Sequence, residues 1–133
     1  EFDRLSAGMT DSVVCLGYRD DVPELMNGAY VFVQPSRPSM VSESFGRGVV
    51  EAMLAGVPSI CFRSGALAEH VLHGETGLVC EDESAECLAE ALRVLLGSEQ
   101  IRNCFGQSAR ERYMRVYETG VLAKRWSAYF SGL

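Results

Sequence analysis

Four short, almost wholly apolar runs separated by helical patterns constrain this chain more than any other feature. The runs are V-V-C-L at 13–16, Y-V-F-V-Q at 30–34, S-I-C-F at 59–62 and L-V-C at 78–80. Each is bounded by Gly, Pro, Asp or Ser and reads as a strand. Helical patterns lie between them. Asp21 caps a short helix through Asn27, with Pro23 tolerated in its first turn. Ser44 caps a helix that runs to Ala55 and stops at Gly56. Leu67 to Leu72 forms a short helix. Ser84 caps a long one, with Cys87, Leu88, Ala91, Leu92 and Leu95 at helical spacing. Further helices over 98–106, 107–117 and 120–131 finish the chain. Strands apolar on both sides and joined by helices predict a parallel sheet covered on both faces. The expected fold is therefore a single α/β, Rossmann-like domain over residues 1–133. Complete doubly wound domains usually carry five or six strands, and residues 1–9 read as the end of a helix. The sequence thus predicts that one or two strands precede residue 1.

Composition narrows the function. Hydrophobic residues make up 47% of the 133, enough for a real core. The net charge of −6 argues against a nucleic-acid partner, because a phosphate backbone demands a dense basic face. It leaves room for a phosphate-bearing small molecule, which needs only one local positive field. No apolar run approaches the ~20 residues that span a bilayer. The five cysteines, Cys15, Cys61, Cys80, Cys87 and Cys104, show no C-x-x-C spacing. Buried free thiols in a reducing cytosol are the expected state, and no metal or cofactor is implied.

Ligands of open parallel sheets bind beyond the carboxyl ends of the strands. Three segments fall at that edge: 35–44, 63–67 and the start of the helix after Cys80. The first is long, polar and runs straight into a helix start. Such a start carries unpaired N–H groups and partial positive charge, and Gly46 and Gly48 keep side-chain bulk away from it. A phosphate or diphosphate is its natural guest. Glu43 and Glu51 flank that start, and carboxylates accept from the paired hydroxyls of sugars and riboses. Gly46-Arg47-Gly48-Val49-Val50-Glu51 mimics part of a dinucleotide fingerprint, but the preceding strand ends too far upstream for the tight turn that motif needs. The residues alone leave two readings open: a phosphate-and-sugar-binding domain, or a structural helix with solvated glutamates.

A set of ordered motifs then resembles one family. Val33-Gln34-Pro35-Ser36, Glu43-Ser44-Phe45-Gly46 and Glu51-Ala52-Met53-Leu54-Ala55-Gly56-Val57-Pro58 look like the group 1 (family 4) glycosyltransferases of GT-B fold. Glu43 and Glu51 reproduce their Glu-x7-Glu signature. Gly17-Tyr18 with Asp21-Val22-Pro23-Glu24-Leu25, Gly65 with Glu69, and Gly74-Glu75-Thr76-Gly77-Leu78-Val79 agree at the expected places. The resemblance covers nearly the whole chain. It implies the C-terminal, donor-binding half of a retaining enzyme, with UDP-, GDP- or ADP-sugar as donor substrate. It also implies that Glu43, the catalytic candidate, contacts donor-sugar hydroxyls, that Glu51 accepts from the ribose, and that the amides of Ser44, Phe45 and Gly46 approach the sugar and diphosphate. Arg47 falls in the same donor-binding segment, although a solvated side chain is its preferred reading. An Arg–Lys pair that normally holds the diphosphate, and the N-terminal domain that shapes the acceptor site, would lie upstream of residue 1. The fragment alone is then expected to be inactive, in a cytoplasmic enzyme that could sit at the inner face of the membrane.

Some residues depart from the family pattern. Tyr30 stands where Asp is frequent, and Ala66 and Ala68 where Gly and Pro are frequent. Other residues have plainer readings. His70 and His73 cap or solvate a helix end. Glu81, Asp82 and Glu83 supply helix-start charge. Trp126, Tyr129 and Phe130, at i, i+3 and i+4, form a packing face. Two competing functions remain: a glycoside hydrolase using Glu43 and Glu51 as an acid–base pair, and a non-catalytic nucleotide- or sugar-binding module.

Overall fold

The computed structural model describes residues 12–40 and 42–132. Helix α1, Val22–Asn27, begins with Pro23 in its first turn. Strand β1, Phe32–Gln34, follows, and then a loop leads to α2, Arg47–Ala55. Strand β2, Ser59–Phe62, is joined to β3, Gly77–Cys80, through the single turn α3, Leu67–His70. Three helices close the chain: α4, Ala85–Gly97; α5, Glu99–Val116; and α6, Thr119–Ser131.

The described strands form one parallel sheet in the order β1-β2-β3. Phe32 pairs with Ser59 and Gln34 with Cys61, while Ser59 pairs with Gly77 and Phe62 with Cys80. All four residues of β2 are buried, as expected of a central strand with both faces covered. Its alternation decides what covers each face. Cys61 and Val79 pack with Val49 and Met53 of α2, Leu67 of α3 and Ala109 of α5. Ile60, Phe62 and Cys80 pack with Ala91 and Leu95 of α4, and Ile101 and Phe105 of α5 close that cluster. The expected parallel α/β architecture is present.

Four expectations are corrected. The run Val13–Leu16 pairs with nothing among the described residues and lies exposed, with Val14 at 75%. A parallel strand needs a neighbouring ladder, and no described residue pairs with the far edge of β1. Cys15 is accordingly exposed, as is Cys104, whereas Cys61 and Cys80 are buried thiols and Cys87 is half-buried. The strand expected from Tyr30 starts at Phe32, and Tyr30 instead lies under the Arg102 guanidinium, 5.1 Å from its ring centre. The two helices expected over 98–106 and 107–117 are one. Gly106 is not a break there but a crossing point, since a Cβ on it would overlap the carbonyl oxygen of Gly56. The predicted end of residues 1–9 as a helix falls outside the described residues.

Candidate functional site

The carboxyl ends of β1, β2 and β3 deliver three loops to one edge, and side-chain bonds tie these loops together. Arg63, just after β2, grips Glu81, just after β3, with two bonds of 2.5 Å. Glu83 receives the Ser39 amide at 3.0 Å and also the Ser39 hydroxyl. Glu81 and Glu83 thus act as loop ties rather than as the helix-start charge expected of them. Asp82 accepts from the Ser84 hydroxyl at 2.7 Å.

Glu43 is the most constrained residue of this edge. Gln34, at the end of β1, donates Nε2 to Glu43 Oε2 at 2.8 Å. The amides of Phe45 and Gly46 donate to Oε1 at 3.4 and 3.1 Å. The Glu43 main chain is fixed as well. Its N–H donates to Ser64 Oγ at 3.3 Å, and its carbonyl accepts from Ala66 N–H at 3.0 Å. Gly65, at φ +48, lies so close that a Cβ would overlap that carbonyl oxygen. Only glycine fits such a left-handed, close-packed position without strain.

The α2 start differs from the sequence expectation. Ser44 does not cap it; the cap is Gly46, left-handed at φ 78 and ψ 52, with no side-chain cap bond. Two of the three amides assigned to the donor, those of Phe45 and Gly46, are instead engaged by Glu43. The amides of Ser44, Arg47 and Gly48 find no acceptor among the described residues. Gly48 sits against the Phe32 ring, where a Cβ would come within 2.7 Å. Gln34 Oε1, beside Gly48, is buried without a partner among the described residues.

One turn into α2, Glu51 lies within reach of Arg47 at 3.3 Å, an i,i+4 pair at the surface. The Arg47 side chain is 85% exposed, in keeping with the solvated reading of it. Both border a cleft of about 560 Å³ between α1 and α2, lined also by Tyr18, Arg19, Val22 and Met26. That volume suits a small ligand.

Sequence reasoning misplaced His70. It is buried, 5% exposed, and its two ring nitrogens meet the Phe45 carbonyl oxygen and the Tyr117 hydroxyl, the latter at 2.5 Å. Burial holds its pKa below the ordinary 6.5, and the charge of Arg112 adds to that; the bond to Phe45 and the charge of Glu69 oppose it. The signal available in the sequence was position: His70 closes a short apolar turn with Leu67. His73 is exposed, with Nδ1 on the Val79 main chain. Trp126, Tyr129 and Phe130 do pack on one another, yet each remains at least 60% exposed and α6 buries no residue. Among the described residues no cluster of three or more metal-ligating side chains occurs, and no helix is long and apolar enough to cross a membrane.

Comparison with known proteins bears directly on this edge. Residues 3–112 match the family described as glycosyl transferases group 1. The chain is 34% identical over 128 residues to an exopolysaccharide phosphotransferase of Streptomyces coelicolor, covering 95% of this chain and 13% of that protein. It is 31% identical over 120 residues to the N-acetyl-alpha-D-glucosaminyl L-malate synthase of Bacillus anthracis, covering 90% and 30%. The solved structure of HepE from Anabaena in complex with UDP superposes with a TM-score of 0.91 at 25% identity, over 99% of this chain and 36% of that one. Sucrose-phosphate synthase of Thermosynechococcus elongatus superposes at 0.87 and 27% identity, over 98% and 33%. This chain therefore spans about a third or less of the proteins it resembles.

Proposed function

The chain belongs to the group 1 glycosyltransferases, and from that membership we propose that it supplies the nucleotide-sugar-binding half of a retaining enzyme. The reaction moves a sugar from a nucleoside diphosphate to an acceptor. The observation that carries this reading is the pairing of a fixed carboxylate with an open helix start. Glu43 is held from four sides at the sheet edge, while the Arg47 and Gly48 amides of α2 are free among the described residues. Unpaired amides and the helix field favour a diphosphate there.

In this reading Glu43 accepts from hydroxyls of the donor sugar. Glu51, on the rim of the α1–α2 cleft, accepts from the ribose. The loop 44–46 brings its main chain up to the sugar, and the α2 start faces the diphosphate. As the anomeric bond breaks, negative charge gathers on the departing diphosphate, and fixed amides stabilise it without reorganising. The donor is a nucleoside diphosphate sugar. HepE has been solved with UDP, with UDP and glucose, and with UDP-glucose, which makes a UDP-sugar the first to try, ahead of GDP- and ADP-sugars. The acceptor site comes from an N-terminal domain of the same protein, and an Arg–Lys pair upstream in this same donor-binding domain supplies further cations for the diphosphate. A hydrolase reading fits less well. Its two carboxyls must face each other across a sugar, whereas Glu43 turns to Gln34 and Gly46, and Glu51 turns to Arg47.

Calorimetric titration with UDP-glucose, GDP-mannose and ADP-glucose tests the proposal. One of the three should bind, and Glu51→Ala should weaken it. Absence of binding by all three at millimolar concentration, with the chain folded, would remove the donor-site reading.

A further inference from the structure

We propose that His70 is a positioning residue for the donor site, fixing the Phe45–Gly46 peptide so that its N–H holds the Glu43 carboxylate. The functional consequence rests on the donor-site reading above; the geometry stands apart from it.

A single peptide unit links the two side chains. Its carbonyl, that of Phe45, meets His70 Nε2. Its N–H, that of Gly46, meets Glu43 Oε1 at 3.1 Å. A trans peptide is planar, with C=O and N–H pointing opposite ways. Rotating the plane therefore breaks both bonds together, and fixing one end aims the other. A carbonyl oxygen only accepts, so Nε2 carries the imidazole proton. In the neutral ring Nδ1 then holds a lone pair, and the Tyr117 hydroxyl, 2.5 Å away, donates to it. The order of donation is fixed along the whole chain: Tyr117 to His70, His70 to Phe45, Gly46 to Glu43.

The far end of this relay is anchored. Tyr117 caps α5 and packs against the core cluster of Val49, Cys61 and Leu67. The rings of Phe45 and Tyr117 meet the imidazole edge-on, at 5.1 and 5.2 Å between centres. Arg112 of α5 reaches the main chain beneath it, donating to the carbonyls of His70 at 3.2 Å and Glu69 at 2.7 Å. Helix α5, which lies outside the donor loop in sequence, thus sets the direction of one N–H in that loop. Bonds aligned head to tail polarise one another, so the Gly46 N–H is a better donor than an isolated amide.

A histidine that merely satisfied its own nitrogens would have no influence on Glu43, and the following experiment separates the two. In the 15N-labelled chain, long-range imidazole spectra should show His70 as the neutral Nε2–H tautomer; an Nδ1–H tautomer overturns the proposal and needs no variant. Glu43→Gln should move the Gly46 amide resonance. His70→Leu should move it in the same direction, and His70→Gln, which keeps an N–H donor, should restore most of the shift. An unmoved Gly46 resonance in folded His70→Leu overturns the proposal. If His70→Leu does not fold, Tyr117→Phe takes its place, with a smaller shift expected and no shift as the contradicting result. On the donor side, His70→Leu should weaken binding of UDP-glucose by about tenfold while leaving UDP nearly unchanged, because Glu43 faces the sugar. Equal losses for both ligands contradict action through Glu43. Wild-type chain that binds neither ligand counts against the donor reading, and the Gly46 resonance still decides the role of His70.

Discussion

Helices α2 and α4 both start at the carboxyl edge of the same sheet, and their starts are built in opposite ways. Ser84 precedes α4 in extended conformation, accepts from the Cys87 amide at 3.1 Å, and is followed by Glu86 in the first turn. That helix caps its third amide and meets its own field with an acid, although its Ala85 and Glu86 amides, like those of Arg47 and Gly48, find no acceptor among the described residues. Helix α2 has a left-handed glycine at its cap, no side-chain cap bond and no acid in its first turn. Its first residue is Arg47, a cation at the positive end, where charge of that sign is unfavourable. The nearest carboxylate, Glu43, is turned to Gly46 and Gln34. The two starts differ in their side-chain cap and in charge rather than in free amides, and the uncapped, uncompensated start of α2 is the ground for proposing an outside anion there. Local rules of stability fail where function takes precedence.

Substitutions can break or sharpen this contrast. The largest effect is expected at Gly65, whose Cβ would overlap the Glu43 carbonyl at a positive φ. Gly65→Ala should destabilise the chain by roughly 3 kcal/mol in urea unfolding, because strain and overlap add. A loss below about 1 kcal/mol would show that the two loops are not locked together as described. Next, Glu43→Ala should reduce nucleotide-sugar affinity by about tenfold in calorimetry and leave affinity for the free diphosphate nearly intact. Ser84→Ala supplies the opposite pattern. It should cost about 1 kcal/mol of stability through loss of the cap and leave ligand affinity alone. A binding defect there would erase the distinction between the two starts.

The pH dependence is a subtler probe. His70 titrates lower in the folded chain than its ordinary 6.5, chiefly by burial, with Glu69, Arg112 and Tyr117 as its charged and titratable neighbours. The unfolded chain therefore takes up the proton first, and stability falls as pH drops through about 6.5 toward the folded value. His70→Gln should flatten that part of the stability profile; an unchanged profile would mean that the ring is more open to solvent than described. The smallest effect is expected for Arg47→Ala, whose exposed pair with Glu51 should contribute at most about 0.5 kcal/mol.

Much of this was legible in the sequence. The apolar runs at 59–62 and 78–80, and the run at 30–34 from Phe32 onward, became strands because apolar residues facing both ways have no other stable place than a covered sheet. Ser84 was readable because a cap works within three residues. The run at 13–16 has the same composition as the strands, but pairing is a property of neighbours, and no described segment offers it a ladder. Gly106 looked like a break because its use, a close crossing with Gly56, joins residues far apart in sequence. In the site, Glu43 and Glu51 were legible as a spaced pair. The hold on Glu43 was not, since Gln34, Ser64 and Gly65 come from the ends of two strands. The same holds for His70, whose partners lie 25 and 47 positions away.

The contrast between α2 and α4 can be measured in one experiment. Titrate the 15N-labelled chain with UDP, GDP and ADP, and follow the amides of Arg47 and Gly48 beside those of Ala85 and Glu86. With at least one nucleotide, the first pair should shift in a saturable way while the second pair stays still. Equal shifts at both helix starts, or none at Arg47 and Gly48 at millimolar ligand, would contradict the claim that the uncapped start of α2 receives the donor.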